Sequence, residues 1–245
     1  MKIENIVRAA RFVSQIMDMS LERGVRLSVG DDFASYAQIV AQHRAHQPIG
    51  PPFDPARHFL RQGNSLWILG HDKKGRLVHT QAMRQLDLAG MTLSDFFNST
   101  FRSFPPAGVP LDMGASRYRA GPAASNIRGN VFYHGDVWLA GGNAGLRGTG
   151  IASLFARFAQ ALCYMRFQAD YVVAFMPQEI AFKGLTEREG YMHAEPGTLQ
   201  WMRADCDEFI NGFMVWNGQT DIEYLLEMPL EPLVKDKVKK TEVGS

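Results

Sequence analysis

Residues 141–152 read Gly-Gly-Asn-Ala-Gly-Leu-Arg-Gly-Thr-Gly-Ile-Ala, a glycine-rich turn between an apolar run at residues 130–140 and a run of helical period at residues 151–166. Strand, glycine turn and helix in that order make a seat for an anion. The first turn of a helix leaves N–H groups without partners and carries a partial positive charge. Glycines permit positive φ and bring backbone N–H groups close to a ligand. Gly148, Gly150, Ile151 and Ala152 would act through their N–H groups, Thr149 also through its hydroxyl, and Arg147 through a guanidinium that could reach a phosphate, against the plainer reading of a solvated surface arginine. On the strand before the turn, His134 and Asp136 lie two apart, so a regular strand points both of them, and Trp138, to one face. Polar groups on a buried strand are costly unless satisfied. The pair is therefore a candidate base, direct or through water, against the plainer readings of an internal hydrogen-bonded pair or of strand residues facing solvent under a loop.

Two common phosphate loops do not fit. The ATP-type loop needs Gly-Lys-Ser/Thr, and no lysine lies between Lys74 and Lys183. The dinucleotide fingerprint Gly-x-Gly-x-x-Gly is not met by Gly145-Leu-Arg-Gly148-Thr-Gly150. A third pattern does fit: Arg147-Gly148-Thr149-Gly150-Ile151-Ala152 resembles the acetyl-CoA signature Arg/Gln-x-x-Gly-x-Gly/Ala of the GNAT superfamily of N-acetyltransferases. A buried-type strand follows at residues 171–176, and then Leu185-Thr-Glu-Arg-Glu-Gly-Tyr191, which resembles the family's Leu-Tyr-Glu-Lys-x-Gly-Phe. The resemblance covers residues 130–203 well and the rest only in order of elements.

What the resemblance implies is a CoA diphosphate on the loop amides, with the thioester and pantetheine along the preceding strand. By position that region is Trp138, Leu139 and Ala140. Two departures stand out. The spacer between Ala140 and Arg147 is longer than usual, and Thr186 stands where many members carry a tyrosine acid, so an ordinary tyrosine-assisted departure of the thiolate is in doubt. Tyr191 fits the family's structural aromatic, His193 reads as a surface or satisfied histidine, and Lys183 is no more than a candidate to approach the CoA end. Arg117, Tyr118 and Arg119 could hold an acidic acceptor, with solvated loop residues as the plainer reading.

These groups need a scaffold. Apolar spacing predicts an amphipathic helix over residues 3–22, packed on the core or, as the minority reading, forming a homodimer contact. A strand at 24–29, a helix from Asp31 or Asp32 to about 45, a proline stop, a helix at 54–61 and a hairpin of strands at 65–70 and 76–88 follow. Residues 92–102 read as an added helix and residues 104–128 as a long loop able to cover the acceptor site. One helix is expected over about 178–189, ended by Gly190, then strands at 198–204 and 209–216 and a short helical turn at 221–227. The expected fold is α/β: a mixed central sheet flanked by helices, GNAT-like, with an extra N-terminal helix. The division is 1–23 for that helix, 24–230 for a single acyltransferase domain and 231–245 for a polar, fraying tail.

Bulk properties bound the partners. A chain of 245 residues with 46% apolar residues can bury one large core, and a net charge of +1 points neither to nucleic acid nor to a membrane surface. The two cysteines, Cys163 and Cys206, make neither a disulfide framework nor a metal cluster, and no leader or spanning stretch is evident, which reads as a cytoplasmic protein without a metal. The expected function is acetyl transfer from acetyl-CoA to the amine of a small molecule or peptide by direct attack. Two rivals stand beside it: a degenerate domain of this family that binds CoA or a protein partner without catalysis, and an enzyme like the acyl-homoserine-lactone synthases, against which the intact CoA loop argues.

Overall fold

The structure is a computed structural model and describes residues 2–44, 46–141, 146 and 148–234. An eight-stranded mixed sheet in the order β1-β2-β3-β5-β6-β8-β7-β4 forms its centre. Helix α1 (Ile3–Glu22) buries Ala9, Phe12, Val13, Ile16 and Met19 against α4 (Ile151–Phe167) and β1 (Val25–Gly30). These residues recur at three and four, the spacing of one helical face. Asp32 caps α2 (Phe33–His43) by accepting from the N–H groups of Ala34 and Ser35. The hairpin of β2 (Ser65–Asp72) and β3 (Leu77–Leu86) is antiparallel and joins β5 (Val131–Leu139), also antiparallel. Helix α3 (Leu93–Thr100) opens with a Thr92/Asp95 capping box.

The sheet separates two cores. One holds α1, α4 and the α4-facing residues of the strands; the other holds α2, α3 and an aromatic cluster around Phe53, Phe97, Phe104 and Tyr133. Along β5, Phe132 faces the first core while Val131 and Tyr133 face the second, the alternation a strand imposes.

The functional geometry comes from β5 and β6 (Tyr171–Pro177), which run parallel but pair only at Val131↔Tyr171, Phe132↔Val172 and Tyr133↔Val173. Past Tyr133 and Val173 the two strands part, although β5 continues to Leu139 and β6 to Pro177. Strand β6 remains paired on its other side to β8 (Phe209–Gly218), which pairs with β7 (His193–Arg203). The mixed, helix-flanked sheet with its antiparallel first hairpin is the fold expected from sequence.

Four expectations change. Residues 54–61 are not a helix: Asp54 takes the N–H of Ala56 on its side chain in a single turn, after a 3-10 turn at Pro51–Phe53. The stretch read as a loop contains β4 (Leu111–Tyr118), an edge strand on β7 held in register only at Leu111, Asp112, Arg117 and Tyr118. Between those ends the Asp112 carboxylate accepts from the Gly114 and Ala115 N–H groups and bulges the strand, erasing the alternation that reveals strands. The helix expected over 178–189 is two pieces, α5 (Gln178–Ala181) and α6 (Leu185–Arg188), parted by Gly184 at φ +73°. Of the segment read as a polar tail from residue 231, the described residues form a 3-10 turn at Glu231–Leu233 with Glu231 and Pro232 exposed, while Val234 is buried in the first core; residues 235–245 lie outside the described residues. Helix α7 (Gln219–Leu225) precedes it.

Candidate active site

Where β5 and β6 part, a cleft of about 420 Å³ opens, walled by residues 133–137 of β5 and 174–177 of β6, with Glu189 at one side and Phe53 and Pro105 to Ala107 at the other. Among the described residues the facing edges of the two strands carry no ladder partners there. The cleft adjoins an apolar hollow of about 90 Å³ that includes Phe104, Phe175, Leu199 and Trp201. Pro105, Pro106 and Ala107, from the stretch expected to cover the acceptor site, do line the cleft.

His134 and Asp136 both line this cleft, but they do not share a face, contrary to the alternation argument. The register of β5 on β3 shifts between Thr80↔Trp138 and Ala82↔Gly135, and Asp136 sits at φ +52°, a conformation that non-glycine residues rarely adopt. The bulge turns the Asp136 carboxylate to the α2 side while His134 stays on the α4 side. The carboxylate accepts from four donors: Tyr36 hydroxyl at 2.5 Å, Arg44 Nη1 at 2.8 Å, Arg44 Nη2 at 3.2 Å and the Gly50 N–H at 2.9 Å. Thr80 ties the same bulge by donating to the Asp136 carbonyl at 3.0 Å and accepting from Arg44 at 2.6 Å. Both side chains of the Arg44–Asp136 pair are fully buried. An aspartate so enclosed anchors α2 and the segment after it to the strand, and both of its carboxylate oxygens are taken up by these donors.

His134 is also fully engaged. Gln81 Nε2 donates to the Phe155 carbonyl at 2.7 Å, which leaves Gln81 Oε1 to accept a proton from His134 Nε2 at 2.9 Å. His134 Nδ1 then accepts from the Tyr191 hydroxyl at 2.7 Å. This tautomer is assigned from the network. Burial lowers the imidazole to about 4, so it is neutral near pH 7. Trp138 stays on the Asp136 side, its ring 5.9 Å from the Arg44 guanidinium, and its carbonyl meets His79 Nδ1 at 2.8 Å. Leu139 and Ala140 pack on the α4 side, and the Ala140 N–H returns to the Val78 carbonyl.

The glycine turn enters α4 as expected from its composition. Gly148 and Gly150 stand at φ +78° and +82°, and Gly150 caps the helix in the left-handed region. Thr149 donates its hydroxyl to the Leu146 carbonyl and receives the Ile151 N–H at 3.4 Å. Ile151 is buried and Ala152 half-buried. Arg147 lies outside the described residues. A Cβ on Gly148 would meet none of the described residues within 4 Å, whereas one on Gly150 would collide with the Leu233 carbonyl of the C-terminal turn.

Other residues fall away from the cleft. Thr186 is buried and turns its hydroxyl to the Met176 sulfur at 3.6 Å. His193 pairs with Asp221 at 2.9 Å. Arg117 lies over Phe209 on the edge strand. Glu189, which the sequence reading passed over as part of a helix, lines the cleft and is only 8% exposed. Its main chain is held firmly: Gln160 donates to the Glu189 carbonyl at 3.1 Å, Asn217 to the Gly190 carbonyl at 2.7 Å, and Arg157 to the carbonyls of Glu187 and Arg188. Among the described residues no hydrogen bond or ion pair within 4.0 Å reaches its carboxylate, and burial raises it to about 7 against the pull of Arg157 and Arg188. The sequence clue was an acidic residue directly before the helix-ending Gly190.

Among the described residues no group of three or more His, Cys, Asp or Glu is placed to hold a metal, and no helix is long and apolar enough to cross a membrane. No family model and no curated protein matches the chain. Solved structures similar to it include an N-acetyltransferase from Staphylococcus aureus (9% identity over 80% of this chain and 98% of that one, TM-score 0.44). A dodecameric spermidine N-acetyltransferase from Vibrio cholerae is similar at 9% identity, 83% and 97% coverage and TM-score 0.46. An aminoglycoside acetyltransferase, AAC(6')-Ib with coenzyme A and kanamycin, gives 11%, 82% and 98%, and 0.43. All three are acetyltransferases by name, but at a TM-score below 0.5 the likeness carries no argument, and the reading of this chain rests on its own cleft, glycine turn and helix.

Proposed function

We propose that this chain is an acyl-CoA-dependent N-acyltransferase, with acetyl-CoA as the default donor and the amine of a small molecule or peptide as acceptor. The observation that carries the reading is the parting of β5 and β6 beyond Tyr133 and Val173, at the foot of a glycine-capped helix. A strand edge without ladder partners offers N–H and C=O groups to the amides of a pantetheine arm laid between the strands. The N-terminus of α4 offers its first-turn N–H groups to the diphosphate. The acyl carbon then lies in the cleft, where an amine attacks it directly. Polarisation of the carbonyl falls to backbone N–H groups of β5, since His134 and Asp136 are committed elsewhere.

Calorimetric titration with acetyl-CoA and with CoA tests the reading. Micromolar binding of both is expected in the wild type. Gly148→Asp places a carboxylate over the loop in a position with space for it, and should weaken binding at least about tenfold through repulsion of the diphosphate. Binding without thiol release from acetyl-CoA for any amine supports a degenerate domain instead, a reading favoured by Thr186 facing Met176 rather than acting as an acid. No binding of either ligand overturns the proposal.

A further inference from the structure

Three groups at the cleft could in principle take a proton, and two are committed. Asp136 is held by four donors. His134 has both ring nitrogens bonded within the protein. Glu189 lines the same cleft with its carboxylate free of hydrogen-bond partners among the described residues. Its main chain is fixed from α4 by Arg157 and Gln160 and from β8 by Asn217. Gly190 follows at φ +82°, and a Cβ there would press on the Arg157 guanidinium at 3.1 Å, so the turn that presents Glu189 is closely fitted.

Resting on the acyl-transfer reading, we propose that Glu189 is the proton acceptor for the incoming amine. The acceptor enters as an ammonium ion and gives one proton to the Glu189 carboxylate. The neutral nitrogen attacks the thioester carbon, the C–N bond forms and the C–S bond breaks. The sulfur leaves as a thiolate and takes the second proton from the nitrogen, giving an amide and the CoA thiol. Glu189 returns its proton to solvent. A proton acceptor works best with a value near the working pH, and burial has brought this carboxyl to about 7.

The test compares wild type with Glu189→Gln, which keeps shape and removes the ionisation. Thiol release from acetyl-CoA is followed with phenethylamine, putrescine, lysine and a tripeptide with a free amino end, and CoA affinity is measured in parallel. The wild type should lose kcat/KM about tenfold per pH unit on the acid side of about pH 7. Glu189→Gln should lose at least about 100-fold at pH above that limb, and the limb itself should vanish. CoA affinity should stay within about twofold, which a general structural defect would not allow. With trifluoroethylamine, already neutral at pH 7, the gap between the two proteins should shrink, an effect no packing role produces. If wild type turns over and Glu189→Gln keeps its rate and its acid limb, Glu189 is not the acceptor and the acyl-transfer reading stands. If wild type binds CoA but releases no thiol with any amine, or binds neither ligand, both fall.

Discussion

Asp136 and Glu189 are both carboxylates on one cleft, and their surroundings are opposites. Asp136 meets four donors and a buried arginine. Glu189 meets apolar walls and two arginines that point their hydrogen bonds elsewhere. The first arrangement stabilises an ion in the interior and uses it to fasten one segment to another. The second leaves an ion poorly served, so its proton is exchanged easily near neutral pH. Residue type decided neither role; the number of donors did. The bulge at Asp136 is the hinge of the difference, because an unbulged β5 would turn that carboxylate toward the α4 side, where His134 stands.

The sharpest way to break the comparison is Arg44→Ala. Removing one partner of a fully buried pair leaves an uncompensated charge and should cost about 3–5 kcal/mol in urea denaturation at pH 7. Replacing both partners with apolar residues, Arg44→Met with Asp136→Leu, should recover much of that loss. A loss under about 1 kcal/mol for the single variant would mean that the pair is not holding α2 to β5.

Glu189 should show the opposite dependence, next in size. Its folded value lies above its unfolded one, so the protonated form favours the fold. Stability is full below the unfolded value and falls as pH rises from about 4.5 to about 7, by about 3 kcal/mol. Glu189→Gln should remove that fall and leave the wild type as the less stable of the two at pH 8. Parallel stability curves for the two proteins would show that the carboxyl is not desolvated. His134 acts in the other direction: its value is lowered to about 4, so its share is lost as pH drops from about 6.5 toward 4, and both proteins keep it.

Tyr191→Phe is milder. It removes the donor to His134 Nδ1 and leaves a buried acceptor unpaired, which should cost about 1–2 kcal/mol. The free acceptor should also make the ring easier to protonate, moving its NMR titration upward from about 4. No movement would place the Tyr191 hydroxyl off the ring nitrogen.

How legible these features are follows from the kind of signal each one leaves. The glycine turn into α4 is readable because glycine at 148 and 150 and a helical period from 151 are written in residue types. The helix-flanked sheet is readable for the same reason: β2, β3, β5 and β6 carry apolar runs or alternation. The face of Asp136 is not, since alternation assumes a regular strand and the bulge is paid for by Tyr36 and Arg44, which lie some hundred residues away in sequence. Glu189 hides in a stretch whose pattern reads as one helix until Gly184 divides it, and its burial depends on β5 and β6 parting nearby. Strand β4 is invisible because only its two ends pair. Local chemistry is encoded locally; the roles of charged groups depend on partners brought from afar.

The smallest effect concerns the two glycines of the turn, and it decides whether loop variants can be trusted as binding tests. Both stand at positive φ, so any side chain costs about 1–2 kcal/mol in strain. At Gly150 a Cβ also collides with the Leu233 main chain, so a bulky replacement there disturbs the C-terminal turn as well as the loop, and lost CoA binding would have two causes. Among the described residues nothing lies within 4 Å of the Cβ position of Gly148. Gly148→Ala should therefore cost only about 1 kcal/mol in urea denaturation, with acetyl-CoA affinity close to that of wild type. A loss well beyond that would mean that the space over Gly148 is filled in solution and that the proposed seat for the diphosphate is closed in the free protein.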